Sequence, residues 1–302
     1  MGDWAAKVEE IGWDQHSLVM WNQLVDAGVP ETWIRRQETA GRLIREGPGT
    51  YRPWGVRRSW ELRALAAVLS SRSDALVSHF AAAFLYGLDD CLPPGSIDVT
   101  VPHHRRPKDR PGITFHESRA FAVARPAIRN RIPVTGMART LFDCFPRLGS
   151  DIERLKLFDS ARRQKLVQWD ELWECLLLHA RRGRPGVTIF RRILLQRSGE
   201  GAPPGSHFAR LMATVLEDAG LPPPVFEYPV LDYFLDLAWP DRKVAVECDG
   251  RVAHDHEGAY EQDRIRLNRI RLTGIDVYQY TWARFRDDPA AVVAEMAQAL
   301  WS

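Results

Sequence analysis

The run from Tyr233 to Tyr280 constrains the fold of this chain more than any other stretch. It opens with FLDLAWPDRKVAVECDG, residues 234–250. Phe234, Asp236 and Ala238 alternate, Pro240–Asp241 interrupts them, and the β-branched run Lys243–Cys248 ends at Asp249–Gly250. Two strands joined by a tight turn is the simplest reading. The two-residue period of a strand puts Glu247 and Asp249 on one face, and a hairpin can set Asp236 beside them. Three converging carboxylates are the oxygen-rich donor set that Mg²⁺ or Mn²⁺ takes. Such an ion activates water and stabilises a phosphodiester under attack. Carboxylates at strand ends are more often solvated or paired with arginine, and spacing alone leaves both readings open. An amphipathic helix follows, carrying Asp263 and Arg266, with Leu267 and Ile270 on its apolar side and Gly274 as its stop. Ile275–Thr281 reads as a third strand.

These residues, in this order and spacing, resemble the Vsr-related branch of PD-(D/E)xK nucleases. The matching pieces are Asp236 followed by ExDG at Glu247–Gly250, His254 downstream, DxxR at Asp263–Arg266, and the final strand. The resemblance implies a restriction-endonuclease-like α/β domain with a mixed sheet over residues 205–302. It implies Asp236 as principal ligand of Mg²⁺ or Mn²⁺, Glu247 and Asp249 as co-ligands, and His254 as proton carrier. Asp263, Arg266 and Gln279 would support them or face phosphate. The chain departs from the family pattern at three points: Asp249 stands in place of a lysine, Ala209 in place of a glutamate, and Gln279 in place of an arginine. Two readings therefore stay open, a metal-dependent DNA endonuclease and a catalytically inactive domain of the same fold.

The first sixty residues carry a different pattern. Asp14 or Ser17 can cap a helix running to Ala27, with Leu18, Trp21, Leu24 and Val25 on one face. Gly28 ends it, and Thr32–Thr39 reads as a second helix, stopped by Gly41. Arg42–Arg45 and Thr50–Pro53 flank a turn at Glu46–Gly49. Helix, turn, helix and hairpin is the order of a winged helix-turn-helix. In that frame Thr32, Arg35, Arg36 and Thr39 face the major groove of double-stranded DNA, while Trp33 and Ile34 look inward. Arg45, Arg52, Arg57 and Arg58 are placed to track phosphates.

This segment, GVPETWIRRQETAGRLIREGPGTYRPWG, resembles the N-terminal domain of AbiEi-type antitoxins. The middle of the chain extends the resemblance. LVSHFAAAFLYGL, at residues 76–88, resembles a helix of the AbiEi middle domain, and IPVTGMARTLFDC, at residues 132–144, matches a second signature. The likeness spans residues 14–195. It implies an autorepressor and antitoxin whose partner is a nucleotidyltransferase toxin. Ser96–Val101 and Ile113–His116 read as strands, separated by the basic loop His103–Arg110. Arg139 and Asp143 stand four apart on a helix and are expected to pair. His79, on an alanine-rich helix, is expected to be a packed, hydrogen-bonded core residue. His103 and His104 are read as loop residues without acidic neighbours.

The expected architecture is an α+β multidomain protein. Residues 1–58 form the winged helix-turn-helix, 59–197 an α+β middle domain, and 205–302 the nuclease-fold domain, with SGEGAPP at residues 198–204 as the linker. A net charge of +2 in 302 residues excludes a histone-like polycation but not local basic patches. The 4 cysteines form no CxxC pair, which fits reduced thiols. Apolar runs are too short to span a bilayer and the N-terminus lacks a signal-peptide pattern, so a cytoplasmic protein without a membrane partner is expected.

Overall fold

The computed structural model describes residues 3–71, 74–122, 124–179, 186–198, 205–249 and 257–301, apart from the side chains of 257–261 and 263. The chain is an α+β multidomain protein that divides into two compact units, Met1–Leu166 and Val167–Ser302.

The first unit opens with α1 (Trp4–Gly12), capped by Asp3, whose carboxylate accepts from the Ala6 amide at 3.1 Å. Strand β1 (Val19–Met20), α2 (Trp21–Asp26), α3 (Glu31–Thr39), β2 (Leu43–Gly47) and β3 (Thr50–Pro53) follow. The sheet order is β1-β3-β2, all antiparallel. A helix from Asp14 to Ala27 does not form. His16 and Ser17 sit at φ 51° and 62°, outside helical space, and Leu18 and Val19 turn fully inward. Gly28, at φ 82°, makes the tight turn into α3 that a side chain would strain. Val8, Val19, Leu24, Val29, Ile34, Leu43 and Tyr51 pack into one core under α3. Burying Ile34 alone is worth about 1.5–3 kcal/mol.

The rest of this unit holds α4 (Trp60–Leu69), β4 (Leu76–Val77), α5 (His79–Leu85), β5 (Ile97–Pro102), β6 (Ile113–Ser118), β7 (Ala127–Arg129), β8 (Ile132–Val134), α6 (Met137–Cys144) and α7 (Asp151–Arg163). Ser150 and Glu153 form a reciprocal cap at the start of α7. The sheet order is β6-β5-β4-β8-β7, with β5–β6 and β4–β8 parallel. Arg139 pairs with Asp143 at 2.8 Å, both side chains under one-tenth exposed, as the four-residue spacing implied. The basic loop differs from expectation: His103 Nδ1 lies 3.4 Å from Glu117, and Arg110 donates to Ser70 at 2.7 Å.

The second unit comprises α8 (Trp169–His179), α9 (Val187–Arg197), α10 (Gly205–Asp218), β9 (Val225–Val230), β10 (Tyr233–Trp239), β11 (Val244–Asp249), α11 (Glu257–Arg271), β12 (Asp276–Thr281), α12 (Trp282–Asp287) and α13 (Pro289–Trp301). Helices α8 and α9 belong to this unit, not to the middle segment expected to run to residue 197. Aromatic packing explains the difference. Trp173 of α8 meets Trp282 edge-on at 5.1 Å, and Phe208 of α10 lies 5.3 Å from the same ring. The sheet order is β12-β11-β10-β9, antiparallel except for the parallel pair β11–β12, which is the mixed sheet the sequence suggested. Val230, Leu235, Ala238 and Ala245 pack with Leu267 and Ile270 of α11.

Candidate nucleic-acid interface and carboxylate row

On α3 the sequence sorts by helical period. Ile34 is fully buried and Trp33 half-buried, while Thr32, Arg35, Arg36 and Thr39 are exposed. The four polar side chains stand on the side away from the core. Arg35 lies over the Trp21 ring at 5.5 Å and 3.6 Å from Glu31, which orients it along the helix surface. Arg45, on β2, is 59% exposed and bonds Glu38 at 3.0 Å and the Tyr51 hydroxyl at 3.2 Å. Arg52, on β3, corrects the sequence reading. Its side chain is only 14% exposed, its Nε bonds Glu46 at 2.6 Å, and its Nη1 donates to the Val56 carbonyl at 2.8 Å. Arg58 takes the other oxygen of Glu46 at 2.7 Å. Arg52 therefore stitches the wing to the chain that follows it, and its charge is spent on a buried carboxylate.

In the C-terminal sheet the sequence-predicted carboxylates lie on neighbouring strands. Asp236 on β10 and Glu247 on β11 stand one step beyond the paired Leu237 and Val246, and Asp249 is the last residue of β11. Gln279 on β12 stands directly opposite Glu247. The ligand atoms do not converge. Asp236 is half-buried, and its Oδ2 accepts from the Cys248 amide at 2.8 Å. Glu247 is 8% exposed, and its Oε2 is engaged by the Arg266 guanidinium and by Gln279 at 3.5 Å. Arg266 in turn lies 5.7 Å from the Tyr233 ring. Asp249 is exposed at the strand end. Among the described residues the three do not form a group with ligand atoms within 4.8 Å, whereas His79, Asp98 and His116 do. Asp263 lies on α11 with its side chain outside the described residues, and His254 lies outside them altogether.

Among the described residues, the carboxylates as placed share no position for a Mg²⁺ or Mn²⁺ ion. A hard cation needs oxygens free to turn toward it. Here one carboxylate already neutralises a cation and another caps a backbone amide. Burial pushes the Asp236 carboxyl above its usual range, with the Cys248 amide and the Arg266 charge pulling it part of the way back. Asp236 also lines a cavity of about 740 Å³ together with Ser206, His207, Arg210 and Glu227.

Sequence reading missed strand β9 and the His79–Asp98–His116 group. Pro229 inside β9 argues against a strand, but β9 is at the sheet edge, where a missing donor is tolerated. The histidine group comes from three separate elements, so no local spacing could signal it.

No family model matches the chain. Two curated proteins of Mycobacterium tuberculosis match it. They are the uncharacterized protein MT2308 of strain CDC 1551 / Oshkosh and the uncharacterized protein Rv2248 of strain ATCC 25618 / H37Rv. Each is 27% identical over 124 residues, covering 39% of this chain and 45% of the relative. The chain thus spans less than half the length of these relatives. Among solved structures, the crystal structure of the RV2827C protein from Mycobacterium tuberculosis aligns over 74% of this chain and 79% of that one. Its sequence identity is 20% and its TM-score 0.35, a likeness that supports nothing further.

Proposed function

We propose that this protein is a DNA-binding regulator of the AbiEi antitoxin type, docking α3 in the major groove. In this reading the C-terminal domain is a non-hydrolysing relative of the Vsr-type nucleases. One observation carries the DNA-binding reading. The polar face of α3, with Thr32, Arg35, Arg36 and Thr39, is exposed, while Ile34 anchors its opposite side in the core. Exposed arginines on a rigid helix supply phosphate neutralisation and bidentate contacts to guanine. The engagement of Glu247 by Arg266 supports the non-hydrolysing reading, because the positive charge that a metal would bring to this carboxylate is already supplied by the protein. The motif resemblance across residues 14–195 points to a nucleotidyltransferase toxin as protein partner.

The test is fluorescence anisotropy with DNA from upstream of the protein's own reading frame, at several salt concentrations. The wild type is expected to bind with a salt-dependent affinity. The double variant Arg35→Ala/Arg36→Ala should weaken binding about tenfold or more and lower the salt slope by about 2. Equal binding by both proteins rejects α3 as the reading element. Supercoiled plasmid incubated with Mg²⁺ or Mn²⁺ should stay intact with wild type and Asp236→Ala alike. Nicking by the wild type that Asp236→Ala abolishes restores the endonuclease reading.

A further inference from the structure

We propose that His79, Asp98 and His116 form a binding site for a first-row transition metal ion such as Zn²⁺, with Arg147 occupying the position of the ion in its absence. The site lies in the first unit and is independent of the DNA-binding reading.

Each offers one ligand atom, and these atoms lie within 4.8 Å of one another. Zinc bound at about 2.0–2.1 Å in a tetrahedron spaces its ligand atoms about 3.4 Å apart, so modest side-chain rotations bring the set into range. Two imidazoles and one carboxylate suit Zn²⁺ or Co²⁺ rather than Mg²⁺ or Ca²⁺.

The elements hold these residues in place. His79 is the first residue of α5, and its Nδ1 is 2.9 Å from the hydroxyl of fully buried Ser78. That bond holds the ring in place, as a second partner does for a metal-bound histidine. The rings of His79 and His116 are 4.3 Å apart. Asp98 and His116 come from the parallel neighbours β5 and β6. His79 also adopts φ 53°, a strained backbone for a residue with a Cβ, and such strain concentrates at functional positions.

The metal-free arrangement contains a conflict. His116 Nε2 lies 2.7 Å from Asp98 Oδ1, a contact that needs a proton on Nε2. The same Nε2 lies 3.3 Å from Arg147 Nη2, a donor that needs a lone pair there. Arg147 Nη1 meanwhile bonds Asp98 Oδ1 at 3.0 Å. One nitrogen cannot donate and accept along both contacts. An ion between Nε2 and Oδ1 removes the conflict, and Arg147, whose side chain is 38% exposed, has solvent to move into. The protonation states suit the ion as well. Burial lowers the His79 pKa to about 4, so the ring is neutral at pH 7. Burial pushes the Asp98 carboxyl up, but hydrogen bonds from His116 and Arg147 outweigh it and hold the group ionised.

The experiment is isothermal titration of the chelator-treated full chain with ZnCl₂, joined by visible absorption on titration with CoCl₂. One Zn²⁺ per chain and a Co²⁺ spectrum with nitrogen ligation are expected. Asp98→Asn should weaken Zn²⁺ at least about tenfold, and Arg147→Ala, which keeps every ligand, should tighten it by a similar factor. No binding by the wild type overturns the proposal. So does Zn²⁺ binding that Arg147→Ala leaves unchanged or weakens, because the ion then sits on other histidines. Since Arg147→Ala retains the ligand set, the test holds even if Asp98→Asn does not fold.

Discussion

The α3 face and the carboxylate row of the C-terminal sheet use the same side chains in opposite electrostatic states. On α3, Arg35 and Arg36 project from a helix whose other side is packed, and water screens them. On α11, Arg266 turns toward the sheet and neutralises a carboxylate that is 8% exposed. An exposed arginine contributes little to stability and is available to a ligand, whereas an arginine on a buried carboxylate holds the fold and is not. Residue type therefore says little about which arginine is available to a ligand. Burial of its partner decides.

The comparison breaks first at Arg266. Arg266→Ala leaves Glu247 buried without its counter-ion and should cost about 2–3 kcal/mol. That is below the full range for a buried pair, because Arg266 is partly exposed. Urea denaturation checks it, and a loss under 0.5 kcal/mol would place the pair in effective contact with water. Arg52→Ala is expected to cost about 1–2 kcal/mol by removing one of the two arginines that hold Glu46, whose side chain is 2% exposed, while leaving the salt slope of DNA binding unchanged. Arg36→Ala should do the reverse, shifting DNA affinity with stability held within about 0.5 kcal/mol. A drop in salt slope for Arg52→Ala would return that residue to the interface.

The smallest effect is expected at Asp236. Its folded pKa is raised by burial, so its contribution to stability is present below the unfolded pKa and lost as pH rises through the folded value. At neutral pH the ionised group therefore costs stability. Asp236→Asn, whose side-chain carbonyl can still accept from the Cys248 amide, should raise the melting temperature at pH 7 by about a degree or two. The gain should vanish near pH 3. A lower melting temperature at pH 7 would mean that the carboxylate is stabilised by charge there.

Much of the fold was legible in the chain. The alternation in Phe234–Ala238, the break at Pro240 and the Gly28 turn each gave an element close to its observed span, because periodicity and turn chemistry are local properties. Arg139 and Asp143 paired as expected because helical geometry alone sets an i,i+4 contact. The helix expected from Asp14 failed because Leu18 and Val19 gain more by entering the core than by extending a helix. Helices α8 and α9 were placed with the wrong neighbours because the affinity of Trp173 for Trp282 acts across more than a hundred residues.

The sequence by itself determined many of the elements and the sorting of polar from apolar positions on α3, since each depends on neighbours within a few residues. Only the tertiary structure decided which charges are spent. Arg266 reached Glu247, Arg52 reached Glu46, and Asp98 and His116 came together beside His79, through the pairing of strands and the docking of helices that no local pattern encodes. Electrostatic free energy depends on distance and on the dielectric around each charge, and both are fixed only once the chain has closed on itself.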